Sequence, residues 1–264
     1  MILGKSYLGS TEITKAYLGS NVVYEAGGGG GIPTANLFAY YGFNGDTLDA
    51  VGINDGTLVS GAALTTTNPK TSTGAVEFTS GTSYVNLGIS SDFTLTDGID
   101  VNRNDRAGSF SFWFNAETNK NSVFIFLGSV TVLREYLIFF TGGNLYFNLY
   151  GTTNDDSIRI IHPYTLPLNE WHHITATYNG DYTSSNFGLN LYIDKVKVST
   201  PAVQLGTYTG QTRRGYDLVL GKFGVNIDYT LDGKMDGVGF WDKELSQEEV
   251  TAIYDEQNLG NELI

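Results

Sequence analysis

The sequence predicts an all-β protein, a two-sheet antiparallel sandwich with one short helix near the C-terminus. Three observations predict it. Glycine is abundant (33 residues), with 17 tyrosines, 15 phenylalanines and only 16% charged residues, a composition that suits short strands joined by tight turns. Apolar and polar residues alternate with period two in one segment after another. Turn signals separate those segments.

The first unit, residues 1–26, carries Tyr-Leu-Gly-Ser twice, at 7–10 and 17–20. Its apolar residues include Tyr7, Leu8, Ile13, Tyr17, Leu18, Val23 and Tyr24. Gly9-Ser10 and Gly19-Ser20 punctuate it, so three short strands are expected rather than a helix. A unit this small cannot stand alone in water and must lie on another surface or pair with copies of itself. Residues 27–35, "GGGGGIPTA", read as a flexible linker stiffened at Pro33. The large domain then spans 36–264.

Strands are expected at 38–43, 75–79 and 84–88. In "SFSFWFNA" (109–116) Phe110, Phe112 and Phe114 face one way and Ser111, Trp113 and Asn115 the other. Further strands fall at 123–128 and 135–140. In "NLYFNLYG" (144–151) Leu145, Phe147 and Leu149 alternate with Tyr146, Asn148 and Tyr150. Segments 157–161 and 171–178 follow. "LNLYIDKVKV" (189–198) reads as a hairpin turning at Asp194-Lys195. Strands at 217–222 and 235–241 complete the set. The helix is "SQEEVTAIYDEQN" (246–258), with a capping box between Ser246 and Glu249 and an apolar face of Val250, Ile253 and Tyr254.

Composition also excludes functions. There are no cysteines, so neither disulfides nor thiolate metal sites are available. The formal net charge of −13 repels nucleic acid, and the only adjacent basic residues are Arg213 and Arg214. That charge favours divalent cations, and equally serves to keep an aromatic-rich surface in solution. No apolar run reaches the roughly 20 residues that span a bilayer, and the N-terminus has no secretory h-region.

Seven segments carry a family resemblance in order: "YYGFNGDTLDAVGINDGTLVSG" (40–61), "VEFTSGTSYVNLG" (76–88), "SFSFWFNAE" (109–117), "EWHHITATYNG" (170–180), "LNLYIDKVKV" (189–198), "LVLGKF" (218–223) and "LDGKMDGVGFWDKELSQEEVTAIYDEQ" (231–257). Together they resemble the laminin G-like, concanavalin A-like jelly-roll domains of the pentraxin-related branch. The resemblance implies a jelly roll with a short helix after the last strand. It also implies Ca²⁺ near the first segment and the last strand, with Asp49, Asn54 and Asp236 as candidate oxygen ligands. "DAVGIND" departs from the family pattern at Ala50 and Val51. The alternative is that Asp49 and Asn54 serve a turn while Asp236 takes strand-end hydrogen bonds. Residues 1–26 resemble N-terminal modules of bacteriophage fibre and other virion proteins. That resemblance implies attachment to other virion proteins, homo-oligomerisation as a trimer, and a place on the particle surface.

Catalytic signatures are missing. Glu-x-Asp-x-x-Glu is absent, the acidic pairs Asp155-Asp156 and Glu248-Glu249 read as a solvated turn and a helix cap, and adjacent His172 and His173 must face opposite ways on a strand. No phosphate loop, dinucleotide fingerprint or nucleophile elbow occurs. The expectation is a non-enzymatic virion protein that binds host-surface glycan through loop residues Tyr182, Tyr208, Arg213, Arg214 and Tyr229. The alternative is a bacterial carbohydrate-active enzyme or its glycan-binding accessory domain.

Overall fold

The computed structural model describes residues 32–79, 81–89, 91–97, 105–129, 133–223 and 229–264, with the backbone of four short strands between residues 7 and 25. Those four are β1 (Tyr7–Leu8), β2 (Thr11–Glu12), β3 (Lys15–Leu18) and β4 (Asn21–Glu25). They pair as two separate antiparallel hairpins, β1 with β2 and β3 with β4, where the sequence suggested three strands. Of the apolar residues expected to make contacts there, Tyr7, Leu8, Tyr17, Leu18, Val23 and Tyr24 lie on these strands. Ile13 and the glycine run 27–31 lie outside the described residues.

The large domain contains β5 (Leu37–Tyr41), β6 (Thr57–Val59), β7 (Ala63–Thr65), β8 (Ala75–Phe78), β9 (Tyr84–Asn86), β10 (Gly108–Ala116), β11 (Ser122–Gly128), β12 (Arg134–Thr141), β13 (Asn144–Tyr150), β14 (Ser157–Pro163), β15 (His172–Tyr178), β16 (Leu189–Ile193), β17 (Val196–Lys197), β18 (Val203–Leu205), β19 (Leu218–Leu220) and β20 (Gly233–Trp241), followed by helix α1 (Gln247–Asn258). They form an all-β jelly-roll sandwich of two antiparallel eight-stranded sheets. Sheet I runs β17-β16-β15-β10-β20-β8-β7, with β5 also paired to β20. Sheet II runs β18-β14-β13-β12-β11-β19-β9-β6.

Alternation decides what lies between the sheets. Phe110, Phe112 and Phe114 of β10, Leu145, Phe147 and Leu149 of β13, and Leu189 and Leu191 of β16 all enter one central cluster. Each such buried aliphatic or aromatic side chain contributes on the order of 1.5–3 kcal/mol. The opposite residues of β10 face α1. Trp113 donates its Nε1–H to Gln257 Oε1 at 3.0 Å, while Val250 and Ile253 pack on Leu37, Tyr40 and Trp241. The helix starts at Ser246, whose hydroxyl accepts the Glu249 N–H while the Glu249 carboxylate accepts the Ser246 N–H.

The hairpin at Asp194-Lys195 places both residues at positive φ, 46° and 62°, as a two-residue type I′ turn demands. Asp194 holds it by accepting the His173 N–H at 2.8 Å and meeting His172 Nδ1 at 2.7 Å. One edge of β20 is split. Gly233–Met235 pair with β8 and Val238–Trp241 with β5. Asp236 and Gly237 sit in the gap, and Gly237 has φ +54°, with the Gln257 amide 2.5 Å from where a Cβ would stand.

Candidate functional site

The residues of sheet II that point away from the core form the most developed candidate surface. Strand register lines them up. Thr57, Asn86, Val219, Phe126, Leu137, Asn148, Arg159 and Val203 are consecutive cross-strand partners from β6 to β18. A second row runs Val123, Phe139, Tyr146, Ile161. Within it the Phe139 and Tyr146 rings stack at 4.5 Å with an interplanar angle of 18°. Both are half-buried, so the pair is partly accessible aromatic surface fixed by two paired strands, β12 and β13.

Beside it lies a smaller apolar cluster of Val123, Phe126, Leu137 and Tyr150, covered in part by Phe223 and Tyr229. The Arg134 guanidinium stands 5.4 Å from the Tyr150 ring centre and 5.0 Å from that of Phe223, close enough for cation–π attraction. Asn148 donates to the Tyr150 hydroxyl at 3.0 Å, and its own Oδ1 is buried without a hydrogen-bond partner. The half-buried Phe139, Tyr146 and Arg159 together offer apolar surface and a charged donor to a hydroxylated ring, while Asn148, 2% exposed, lies beneath them. At one end of the face, Glu135 is 1% exposed. Burial pushes its carboxyl up, opposed by the Arg214 N–H that donates to it at 2.6 Å.

The loop residues expected to bind glycan are dispersed by the structure. Tyr208 is 3% exposed and shares Asp105 with Tyr178: both hydroxyls donate to its Oδ2, at 2.8 and 2.7 Å. It has no free ring face, which corrects the expectation. Tyr182 covers Tyr208 edge-on at 5.4 Å. Arg214 spends its N–H on Glu135 and its guanidinium on the carbonyls of Gly151 and Thr152, so it closes the loop rather than reaching outward. Arg213 is exposed. Tyr229 joins the apolar cluster on the sheet II face, and Arg214 reaches only its end, through Glu135. Phe139, Tyr146, Asn148 and Arg159 were not nominated from sequence; the signal available was the non-core half of "NLYFNLYG".

The calcium set fits poorly. Asp49 accepts the N–H groups of Tyr40, Val51 and Asn54 at 3.1–3.2 Å. Asp236 accepts those of Lys70, Thr71 and Gly237 and the Thr71 hydroxyl, all at 2.7–2.8 Å. The Asn54 carbonyl accepts the Tyr41 hydroxyl. Oxygens facing amide donors are turned away from a cation. Among the described residues no group of three or more His, Asp or Glu is placed to hold a metal ion. Here the Asp49 carboxylate caps a turn and the Asp236 carboxylate fills the gap along β20.

The histidines point to opposite faces as expected. His173 Nε2 lies 2.7 Å from the Ser111 hydroxyl, a nucleophile–base pairing in form. Both residues are fully buried, with the Trp113 and Tyr254 rings against the imidazole. Burial pulls His173 down to about 3, so it is a neutral structural residue. His172 is held above its usual value by Asp194.

Residues 79–251 match Laminin_G_3, of the concanavalin A-like lectin/glucanases superfamily. The chain belongs to this family. Similar solved structures share this laminin G-like fold. The receptor-binding domain of a botulinum neurotoxin C/D mosaic serotype is 15% identical with a TM-score of 0.61, covering 83% of this chain and 51% of that one. The binding domain of Paraclostridial Mosquitocidal Protein 1 is 15% identical with a TM-score of 0.63, covering 83% and 52%. Domain 4 of AbnA, a GH43 extracellular arabinanase from Geobacillus stearothermophilus solved with arabinotriose, is 17% identical with a TM-score of 0.61, covering 83% and 98%. This laminin G-like chain thus spans about half the length of the first two. No curated protein matches it. Among the described residues no helix is long and apolar enough to cross a membrane.

Proposed function

We propose that this laminin G-like chain is a non-enzymatic bacteriophage virion protein of head or tail fibre or decoration type, whose jelly roll grips host-surface saccharide on the outer face of sheet II. The observation that carries the saccharide half is the stacked Phe139–Tyr146 pair, half-buried on paired strands of sheet II near the half-buried Arg159. Sugar rings stack on such aromatic faces and accept hydrogen bonds from neighbouring donors such as a guanidinium. The likeness to binding domains and to an arabinanase module seen with arabinotriose supports the same reading.

The virion half is supported by the resemblance of residues 1–26 to virion-protein modules and by the size of the two hairpins, too small to stand alone. In this reading residues 1–26 attach the chain to other virion proteins, and three copies share that attachment. Host cell-envelope polysaccharide and arabinotriose, titrated against the full chain and Tyr146→Ala, test the saccharide half. The variant is expected to bind about tenfold more weakly; equal binding, or none by the wild type, overturns it. Removal of residues 1–26 tests the other half, because particles that still incorporate the shortened chain contradict it.

A second reading is an accessory domain of a bacterial carbohydrate-active enzyme, favoured by the likeness to AbnA Domain 4, almost all of which is covered. Release of reducing ends from polysaccharide by the pure protein would support a catalytic form of it.

A further inference from the structure

The strand paths of the two sheets have four ends, and one of them is left bare. Sheet II ends at β18, which pairs only with β14. All three of its residues are exposed, Val203 and Leu205 by 46% and 48%. Their register partners on β14 are Arg159 and Ser157, while Gln204 stands opposite the core residue Ile158. Val203 and Leu205 therefore lie on the outer face and carry its apolar surface to the rim.

The other three ends are better covered. β6 and β7 keep Leu58, Val59 and Leu64 half-buried, and β17 is two residues long and carries Lys197. Sheets protect their edges with lysine, proline, bulges or a covering loop. β18 has neither lysine nor proline, and its pairing has no register shift. No strand among the described residues pairs with its outer side.

The N-terminal unit has the complementary need. β3 and β4 form a two-stranded sheet with no third strand among the described residues. A lone hairpin is marginal in water, and further strands relieve that. β4 is the longest of the four short strands and reads Asn-Val-Val-Tyr-Glu, rich in residues that favour strands. Residues 26–36 join it to β5, roughly 35 Å of chain when extended. That is long enough to reach a neighbouring molecule.

We infer that the β18 edge is the docking site for the β3–β4 hairpin of a second copy of this chain, which adds to sheet II as further strands. The single chain leaves both the hairpin and the edge open, so a second copy supplies the match. Main-chain hydrogen bonds hold such an added strand, and Val203 and Leu205 give it apolar neighbours. Each chain then has one donor hairpin and one acceptor edge. That contact is head-to-tail, and it closes into a ring when the rotation allows. The inference rests on the homo-oligomeric part of the reading above and not on saccharide binding.

The chain has no cysteine, so introduced ones report contacts cleanly. Full chain carrying Gln204→Cys is mixed with isotope-labelled full chain carrying Asn21→Cys or Glu25→Cys, at the two ends of β4, and treated with a short bismaleimide. Mass spectrometry should find the mixed dimer about tenfold above that given by Thr57→Cys, on the opposite edge of sheet II. Adding Val203→Lys and Leu205→Lys beside Gln204→Cys should remove the excess. Equal yields from the two edges, or no mixed dimer, overturn the site. A link within one chain, in the double variant Asn21→Cys/Gln204→Cys at high dilution, overturns the second copy as occupant. A dimer of two Gln204→Cys chains alone shows edge-to-edge pairing and overturns the hairpin. Light scattering on the wild type separates the two claims: an oligomer without the mixed dimer leaves homo-oligomerisation standing and removes this edge from it.

Discussion

Asp236 gives the fold a pH dependence that can be worked through. Its carboxyl is fully buried in the gap along β20. Burial pushes its pKa from 3.8 up to about 7, even though three N–H groups and the Thr71 hydroxyl point at it. The Glu262 carboxylate, which shares the Thr71 hydroxyl at 3.1 Å, adds to the effect by charge repulsion. The folded value lies above the unfolded one, so the folded state binds the extra proton. Stability is therefore full below about pH 4 and falls as pH rises toward 7, by about 1.4 kcal/mol per pH unit and about 4 kcal/mol in all. Between pH 5 and pH 8 the loss is about 3 kcal/mol. Asp236→Asn keeps the shape and cannot ionise, but its single acceptor oxygen must serve four donors. Each donor left unpaired costs about 1–3 kcal/mol. Urea unfolding at both pH values should show the variant well below the wild type at pH 5, with the gap closing by about 3 kcal/mol at pH 8. A gap of constant size would refute the reasoning, because it would mean that the four donors keep Asp236 ionised throughout.

Three further outcomes are expected. Ile253→Ala empties a fully buried position under α1 and should cost about 2–5 kcal/mol in chemical denaturation. Gly233→Ala should prevent folding to the native circular dichroism spectrum, since its Cβ would fall 2.0 Å from the Asn115 carbonyl at φ +142°, a backbone clash on the β10–β20 ladder. Chelator against millimolar Ca²⁺ should leave the melting temperature unchanged, given the amide donors on Asp49 and Asp236. A rise with Ca²⁺ would show a native-state site elsewhere.

Much of the fold could be read along the chain because its long strands bury one full side. β10 and β13 alternate cleanly, and the capping box marks the start of α1 within one residue. The strands that escaped notice were β6, β7 and β18. Each has three residues, most of them half-buried or exposed, too short for a period of two to register. The site was less legible for a different reason. Tyr208 looks like a loop aromatic until Asp105, about a hundred residues earlier, takes its hydroxyl. Tyr146 could be placed off the core by alternation, yet the ring it stacks on follows only from the β12–β13 register. Sequence reports which side of a strand a residue takes; neighbours across strands come from pairing.

The split edge of β20 also sets a timetable. That strand joins β10, β8 and β5 at once, so three segments from the first half of the domain wait on residues 233–241. During synthesis the emerging chain holds unpaired strand edges until residues 233–241 have left the ribosome. Such distant pairing makes for slow folding and a long interval of exposure. Within the jelly roll, the last strand made is the one that closes the first sheet begun.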